Sequence, residues 1–134
     1  NLKIKSAIKS NLKVIFCIGE TLSEKRKKIT NKILAKQITN GLKSIKKTSN
    51  IIIAYEPVWS IGTGLIPKSN DLLNSISYIK SKFNKKNPKV LYGGSVNNKN
   101  IAELKDINVI DGFLIGGASQ SSKKFIDIIK KTFI

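Results

Sequence analysis

Glu56 closes the apolar run Ile51-Ile52-Ile53-Ala54-Tyr55, and a carboxylate in that place needs a purpose. One purpose is a salt bridge to one of the many Lys residues. The other is general-base chemistry, because a carboxylate partly withdrawn from water holds a proton more tightly and is poised to transfer one. Three glycine-bearing stretches accompany it: Gly62-Thr63-Gly64, Gly93-Gly94-Ser95-Val96 and Gly116-Gly117-Ala118-Ser119. Glycine lets the main chain approach a ligand closely and offers N–H donors with no side chain in the way. Each stretch alone reads as a tight turn. Three of them at equivalent places point to an anion, and N–H groups at helix starts bind phosphate well. Pro57 and Pro67 bracket the segment that follows Glu56, with Gly62 and Gly64 between them. That spacing predicts a lid with stiff ends, able to exclude water on closing. Trp59 within it is either its apolar anchor or part of the core.

The elements that must hold these groups are legible as an alternation. Val14-Ile15-Phe16-Cys17-Ile18, Ile51 to Tyr55, Val90-Leu91-Tyr92 and Gly112-Phe113-Leu114-Ile115 are short, apolar and rich in β-branched or aromatic residues. Such runs predict strands of a parallel sheet covered on both faces. A helical stretch follows each. Thr21-Leu22-Ser23-Glu24 has capping-box spacing, with Ile29, Ile33, Leu42 and Ile45 near helical spacing behind it. Leu72, Ile76, Ile79 and Phe83 step around one helical face, and Asp71 favours that helix's first turn. Ile101 and Leu104 mark a shorter helix. Ser121 or Ser122 caps a last one carrying Phe125, Ile128 and Ile129. Leu2 to Ile8 reads as the end of a further helix. The order is a helix and then βα four times, hence an α/β fold with a parallel sheet and right-handed crossovers. Units of roughly 30 residues suit a (β/α)8 barrel of about 250 residues, of which this chain supplies about half. A doubly wound open sheet is the alternative, but its glycine-rich dinucleotide turn is missing. In parallel α/β folds the reactive groups gather at the carboxyl ends of strands, and the stretches named above all fall there.

Composition narrows the classes. The 134 residues carry 25 Lys and Arg against 8 Asp and Glu, a formal charge of +17. Only Arg26 is an Arg, whereas sequence-reading nucleic-acid proteins favour the bidentate Arg fork. The Lys residues are spread over every helical stretch. Lys, Ile and Asn together make up 60 of the 134 residues, all with AT-rich codons, so drift in composition accounts for the charge. The expectation is a solvated basic surface with non-specific attraction for polyanions and no specific nucleic-acid partner. One Cys excludes a disulfide framework and a Cys-based zinc site, and the absence of His excludes His metal sites and Ser-His or Cys-His pairs within the chain. No metal site is expected. No apolar stretch is long enough for a membrane span, no secretory signal opens the sequence, and the start at Asn1 suggests a processed chain or a fragment.

With these residues in place the sequence resembles the triosephosphate isomerase family. The block Ala54-Tyr55-Glu56-Pro57-Val58-Trp59-Ser60-Ile61-Gly62-Thr63-Gly64 is similar to that family's signature. Cys17-Ile18-Gly19-Glu20, Tyr92-Gly93-Gly94-Ser95-Val96 and Gly116-Gly117-Ala118-Ser119 match further blocks in the family's order and spacing. The resemblance covers essentially residues 1–134 as one partial domain, strands five to eight of the barrel. It implies a cytoplasmic glycolytic and gluconeogenic enzyme that interconverts dihydroxyacetone phosphate and glyceraldehyde 3-phosphate without a cofactor. It implies that Glu56 moves the proton through an enediolate, and that main-chain N–H groups of Gly62, Ser95, Gly116 and Gly117 hold the phosphate. Segment 57–67 would be the lid, locked by hydrogen bonds from Tyr92 and Ser95. These roles are the family's established ones, carried over residue by residue. Cys17 and Glu20 read as support beneath the site, by packing and by a structural ion pair. A homodimer is implied for the full-length enzyme.

Departures from the family pattern set further expectations. Ser60 stands where Ala is commoner, and Leu65-Ile66-Pro67 where Lys-Thr-Ala is commoner, which predicts altered lid kinetics at most. Gln120 stands where an apolar residue is usual and is expected to loosen local packing. The family also draws an Asn, a Lys and a His from its amino-terminal half, the last two to polarise the carbonyl and stabilise the oxyanion. This chain has no His, and its Lys residues lie outside the matching motif. One such donor is often worth about 10²–10³ in rate, so the chain alone is expected to be inactive. Half a barrel also leaves two open sheet edges and an exposed inner face. The alternatives are another sugar-phosphate-binding barrel enzyme and a basic, non-catalytic polyanion-binding module.

Overall fold

A computed structural model describes residues 1–46, 48–83 and 88–133. Helix α1 (Leu2–Lys9) leads into strand β1 (Val14–Ile18), helices α2 (Leu22–Arg26) and α3 (Thr30–Gly41), then β2 (Ile51–Tyr55) and α4 (Ser69–Ser81). Strand β3 (Val90–Tyr92), α5 (Ile101–Lys105), β4 (Gly112–Phe113) and α6 (Ser122–Phe133) complete the order. The strands form one four-stranded sheet in the order β1-β2-β3-β4, and each neighbouring pair is parallel. Four consecutive βα units laid side by side in chain order are half of a (β/α)8 barrel.

The strand registers align side chains across the sheet. Phe16, Ile53 and Val90 pair in one row, and Ile18, Tyr55 and Tyr92 in another. These rows face the helices, where Leu34, Ile38, Leu72, Ile76 and Ile79 are buried against them. The rows between, Cys17-Ala54-Leu91 and then Glu56 and Gly93, face the inner side of the sheet. That face is partly open: Ile15 is 48 % exposed and Cys17 is exposed. Strands β1 and β4 are the two sheet edges.

Several elements differ in detail from their sequence signatures. Thr21 does head a capping box, its hydroxyl accepting from the Glu24 N–H while Glu24 caps the Thr21 N–H. The helix behind it breaks, however, with Lys28 in the left-handed region at φ 58° between α2 and α3. After the break Leu34, Ile38 and Gly41 carry the buried face in place of Ile29 and Ile33, and Leu42 and Ile45 pack on the core beyond the helix end. The reason is the close fit of α3 on β1, where a side chain at Gly41 would collide with the Phe16 ring. Strand β4 is shorter than the run Gly112 to Ile115, although the Leu114 N–H still donates to the Tyr92 carbonyl at 2.9 Å. On α6 Ile128 is buried, while Phe125, Ile126, Ile129 and Phe133 are exposed. Gln120 is exposed and costs no packing. Among the described residues no helix is long and apolar enough to cross a membrane.

Candidate active site

The main-chain ladder delivers Glu56 to the end of the sheet. Its N–H donates to the Ile18 carbonyl at 2.8 Å, and the neighbouring Gly93 N–H donates to the Tyr55 carbonyl at 3.0 Å. Gly93 therefore sits beside the Glu56 side chain, and a Cβ there would lie 2.6 Å from Glu56 Cγ and 2.7 Å from its Oε1. Only glycine leaves room for the carboxylate in this position. Glu56 is half-buried and forms no salt bridge among the described residues.

Glu56, Gly62, Ser95, Gly116 and Gly117 all line one cavity of about 650 Å³ at the carboxyl ends of the strands. Lys99 and Lys124 line it as well. The N–H groups of Gly62, Gly116 and Gly117 have no hydrogen-bond acceptor among the described residues. All three are exposed at the cavity wall, where an anion can replace water as their acceptor. The Ser95 N–H is differently placed, donating to Ser60 Oγ at 3.3 Å.

The segment from Pro57 to Pro67 has buried ends and an exposed tip. A short 3₁₀ turn spans Val58–Ser60, and Gly62 and Gly64 adopt φ of 67° and 79°, conformations that L side chains rarely take. Tyr92 and Ser95 both hydrogen-bond to this segment. The Tyr92 hydroxyl lies 3.0 Å from Ser60 Oγ, Ser95 Oγ donates to the Ser60 carbonyl at 2.6 Å, and the Gly64 N–H donates to Ser95 Oγ at 2.9 Å. Burial pushes the Tyr92 phenol above its ordinary pKa.

The supporting residues depart from expectation. Glu20 is 1 % exposed and forms no ion pair among the described residues. It accepts instead from the Tyr55 hydroxyl at 3.1 Å and from Trp59 Nε1 at 3.0 Å. Trp59 is thereby an anchor with a polar tip, and the Lys25 ammonium lies 4.2 Å from its ring centre. Burial, then the charge of Glu20, pushes the Tyr55 phenol well above its usual range. Cys17 is not packed away but faces the open side. Its thiol is pushed up to about 12 by partial removal from water, then by its hydrogen bond to Glu56 and the repulsion of that carboxylate.

Three bracing groups carry no motif that sequence reasoning picked out. The Gln37 side-chain amide clasps Gly19, accepting from its N–H and donating to its carbonyl, each at 2.9 Å. Asn100 Nδ2 donates to the Ser95 carbonyl at 2.7 Å, holding the loop after β3. The Asp111 carboxylate accepts from the Val90 N–H at 2.7 Å and from Lys80 at 2.8 Å, fixing the start of β3. A lone polar residue in a helix or a loop has no spacing signal, so only the fold reveals these partners.

A parallel βα sheet with a half-buried carboxylate and glycine-rich turns at its carboxyl edge defines the class, the (β/α)8-barrel proteins. Within that class the chain belongs to the triosephosphate isomerase family, whose profile matches residues 1–132. It is 41 % identical to a triosephosphate isomerase of Thermodesulfovibrio yellowstonii, over 97 % of this chain and 55 % of that protein. It is 43 % identical to one of Candida albicans, over 96 % of this chain and 54 % of that protein. It is 45 % identical to one of Yarrowia lipolytica, over 95 % of this chain and 53 % of that protein. The chain thus spans about half the length of the curated relatives it matches.

Proposed function

We propose that residues 1–134 act as a partial triosephosphate isomerase domain, supplying the base and the phosphate cradle of a site that interconverts dihydroxyacetone phosphate and D-glyceraldehyde 3-phosphate. One observation carries this reading: Glu56 and the glycine turns at Gly62, Gly116 and Gly117 line one cavity. The glycine N–H groups and the Ser95 turn hold the substrate phosphate. The Glu56 carboxylate takes a proton from the carbon beside the carbonyl, which leaves an enediolate. It returns that proton to the neighbouring carbon while the hydroxyl proton moves from the first oxygen to the second, and the ketose becomes the aldose with no gain or loss of atoms. The lid excludes water while the enediolate exists, so its phosphate is not lost to side reactions.

The electrophilic partners of this chemistry, by the resemblance an Asn, a Lys and a His, are supplied by residues outside the described site. The full enzyme is a cytoplasmic homodimer, needs no cofactor, and has no specific nucleic-acid or membrane partner. The test is to pair the chain with the amino-terminal half of the Candida albicans relative and to follow dihydroxyacetone phosphate beside other sugar phosphates. Turnover of triose phosphate by the pair, and none by the chain alone, is expected. Turnover by the chain alone at the pair's rate refutes the divided site, and preference for another sugar phosphate refutes the substrate.

A further inference from the structure

A serine hydroxyl has one proton to donate and two lone pairs, and Ser60 uses all three. Its Oγ donates to the Leu65 carbonyl at 2.6 Å, lies 3.0 Å from the Tyr92 hydroxyl and accepts from the Ser95 N–H at 3.3 Å. With its proton committed to Leu65, Ser60 must be the acceptor in the bond with Tyr92. Ser60 and Tyr92 are both 0 % exposed, so water cannot take over either role. The bonds continue outward. Ser95 Oγ donates to the Ser60 carbonyl, and the Gly64 N–H donates to Ser95 Oγ. One buried hydroxyl therefore ties the first turn of the lid, its far end at Leu65 and the loop after β3. A side chain at Gly94 would collide with both Ser60 and Tyr92, so that loop is shaped to receive the hydroxyl.

We infer that Ser60 is a positioning residue of the lid: its saturated hydroxyl holds the Gly62–Gly64 tip over the anion cavity and thereby sets phosphate affinity. The inference rests on the proposed phosphate site. An apolar residue at position 60 leaves the buried Tyr92 hydroxyl without its Ser60 partner, and a stranded buried group of this kind corresponds to roughly a tenfold change in an equilibrium or more.

The experiment compares the unmodified chain with Ser60→Ala and Tyr92→Phe, reading single-amide hydrogen exchange and the dissociation constant for inorganic phosphate. For Ser60→Ala we expect exchange at the Gly64 and Ser95 amides to rise about tenfold or more, and phosphate affinity to fall by a similar factor. The Ile53 amide in the central ladder keeps its rate. Tyr92→Phe removes one of the three bonds and gives a smaller change in the same direction. Unchanged Gly64 exchange in Ser60→Ala overturns the inference. So does faster exchange with unchanged phosphate affinity, and so does an equal acceleration at Ile53, which marks general loss of stability. If the unmodified chain binds no phosphate, the phosphate-site reading fails, and the exchange contrast alone decides whether Ser60 latches the lid.

Discussion

Two side chains on the inner face set the chemistry at the residue scale. Cys17 and Glu56 are neighbours there, and partial burial, followed by the carboxylate, suppresses ionisation of the thiol. Because the thiolate is the reactive form, alkylation of Cys17 at pH 8 should be over ~100-fold slower than that of a free thiol, despite its exposure. Its rate should keep climbing above about pH 10, where a free thiol has levelled off. Glu56→Gln should speed the reaction; equal rates in both forms would detach the two groups. The linkage has a definite sign. The folded chain holds the thiol proton more tightly than the unfolded chain, so this contribution to stability is present below pH 9 and is lost as pH rises towards about 12. Gly93→Ala makes a separate prediction. A Cβ at 2.6 Å from Glu56 Cγ must push the carboxylate aside. A displacement of about 1 Å can cost 10²-fold, so kcat of the paired enzyme should fall by that order while phosphate affinity is kept. Glu56 and the glycines were legible from the sequence because residue type and strand-end position coincide. The Glu20 partners were not, since neutral donors such as the Tyr55 hydroxyl and the Trp59 N–H leave no charge pattern to read.

At the scale of elements, strands and caps were easier to read than helix faces. The four apolar runs all became strands, because a buried parallel strand needs little beyond continuous β-branched residues. The stretch after β1 holds two helices where one helical stretch is expected. Its apolar spacing spans two helices, and the left-handed Lys28 between them has no sequence marker comparable to Gly. The capping box was readable because its two partners are three residues apart. Removing the Thr21 side chain should lower stability by about 1 kcal/mol, measured as the denaturant midpoint, with no effect on phosphate binding. An unaltered midpoint would mean that α2 is held by packing alone. Segment 57–67, proposed as the lid, was set apart in the sequence by its prolines and glycines. Its internal bonding was not legible, because the Ser60 network joins residues up to 35 positions apart.

On the scale of the whole molecule, the apolar surface is unevenly covered. Phe113 of β4 and Ile115 just after it, together with Phe125, Ile129 and Phe133 on α6, line an open cavity of about 440 Å³. Ile15 is exposed on the inner face at the opposite edge. A strand edge and an apolar face left open together are the surfaces a closed barrel covers. Pairing with the amino-terminal half of a relative should therefore reduce binding of a hydrophobic dye, and unchanged dye binding would mean that these faces stay open. The charge of +17 acts at the same scale: polyanion binding should weaken steeply with salt and show no sequence preference. The most direct test of the central claim follows deuterium from solvent into dihydroxyacetone phosphate in the paired enzyme, with and without Glu56→Gln. The account predicts exchange in the unmodified form and a fall of roughly 10²–10⁴-fold in the variant, with phosphate affinity retained. Exchange at the unmodified rate in the variant would contradict it.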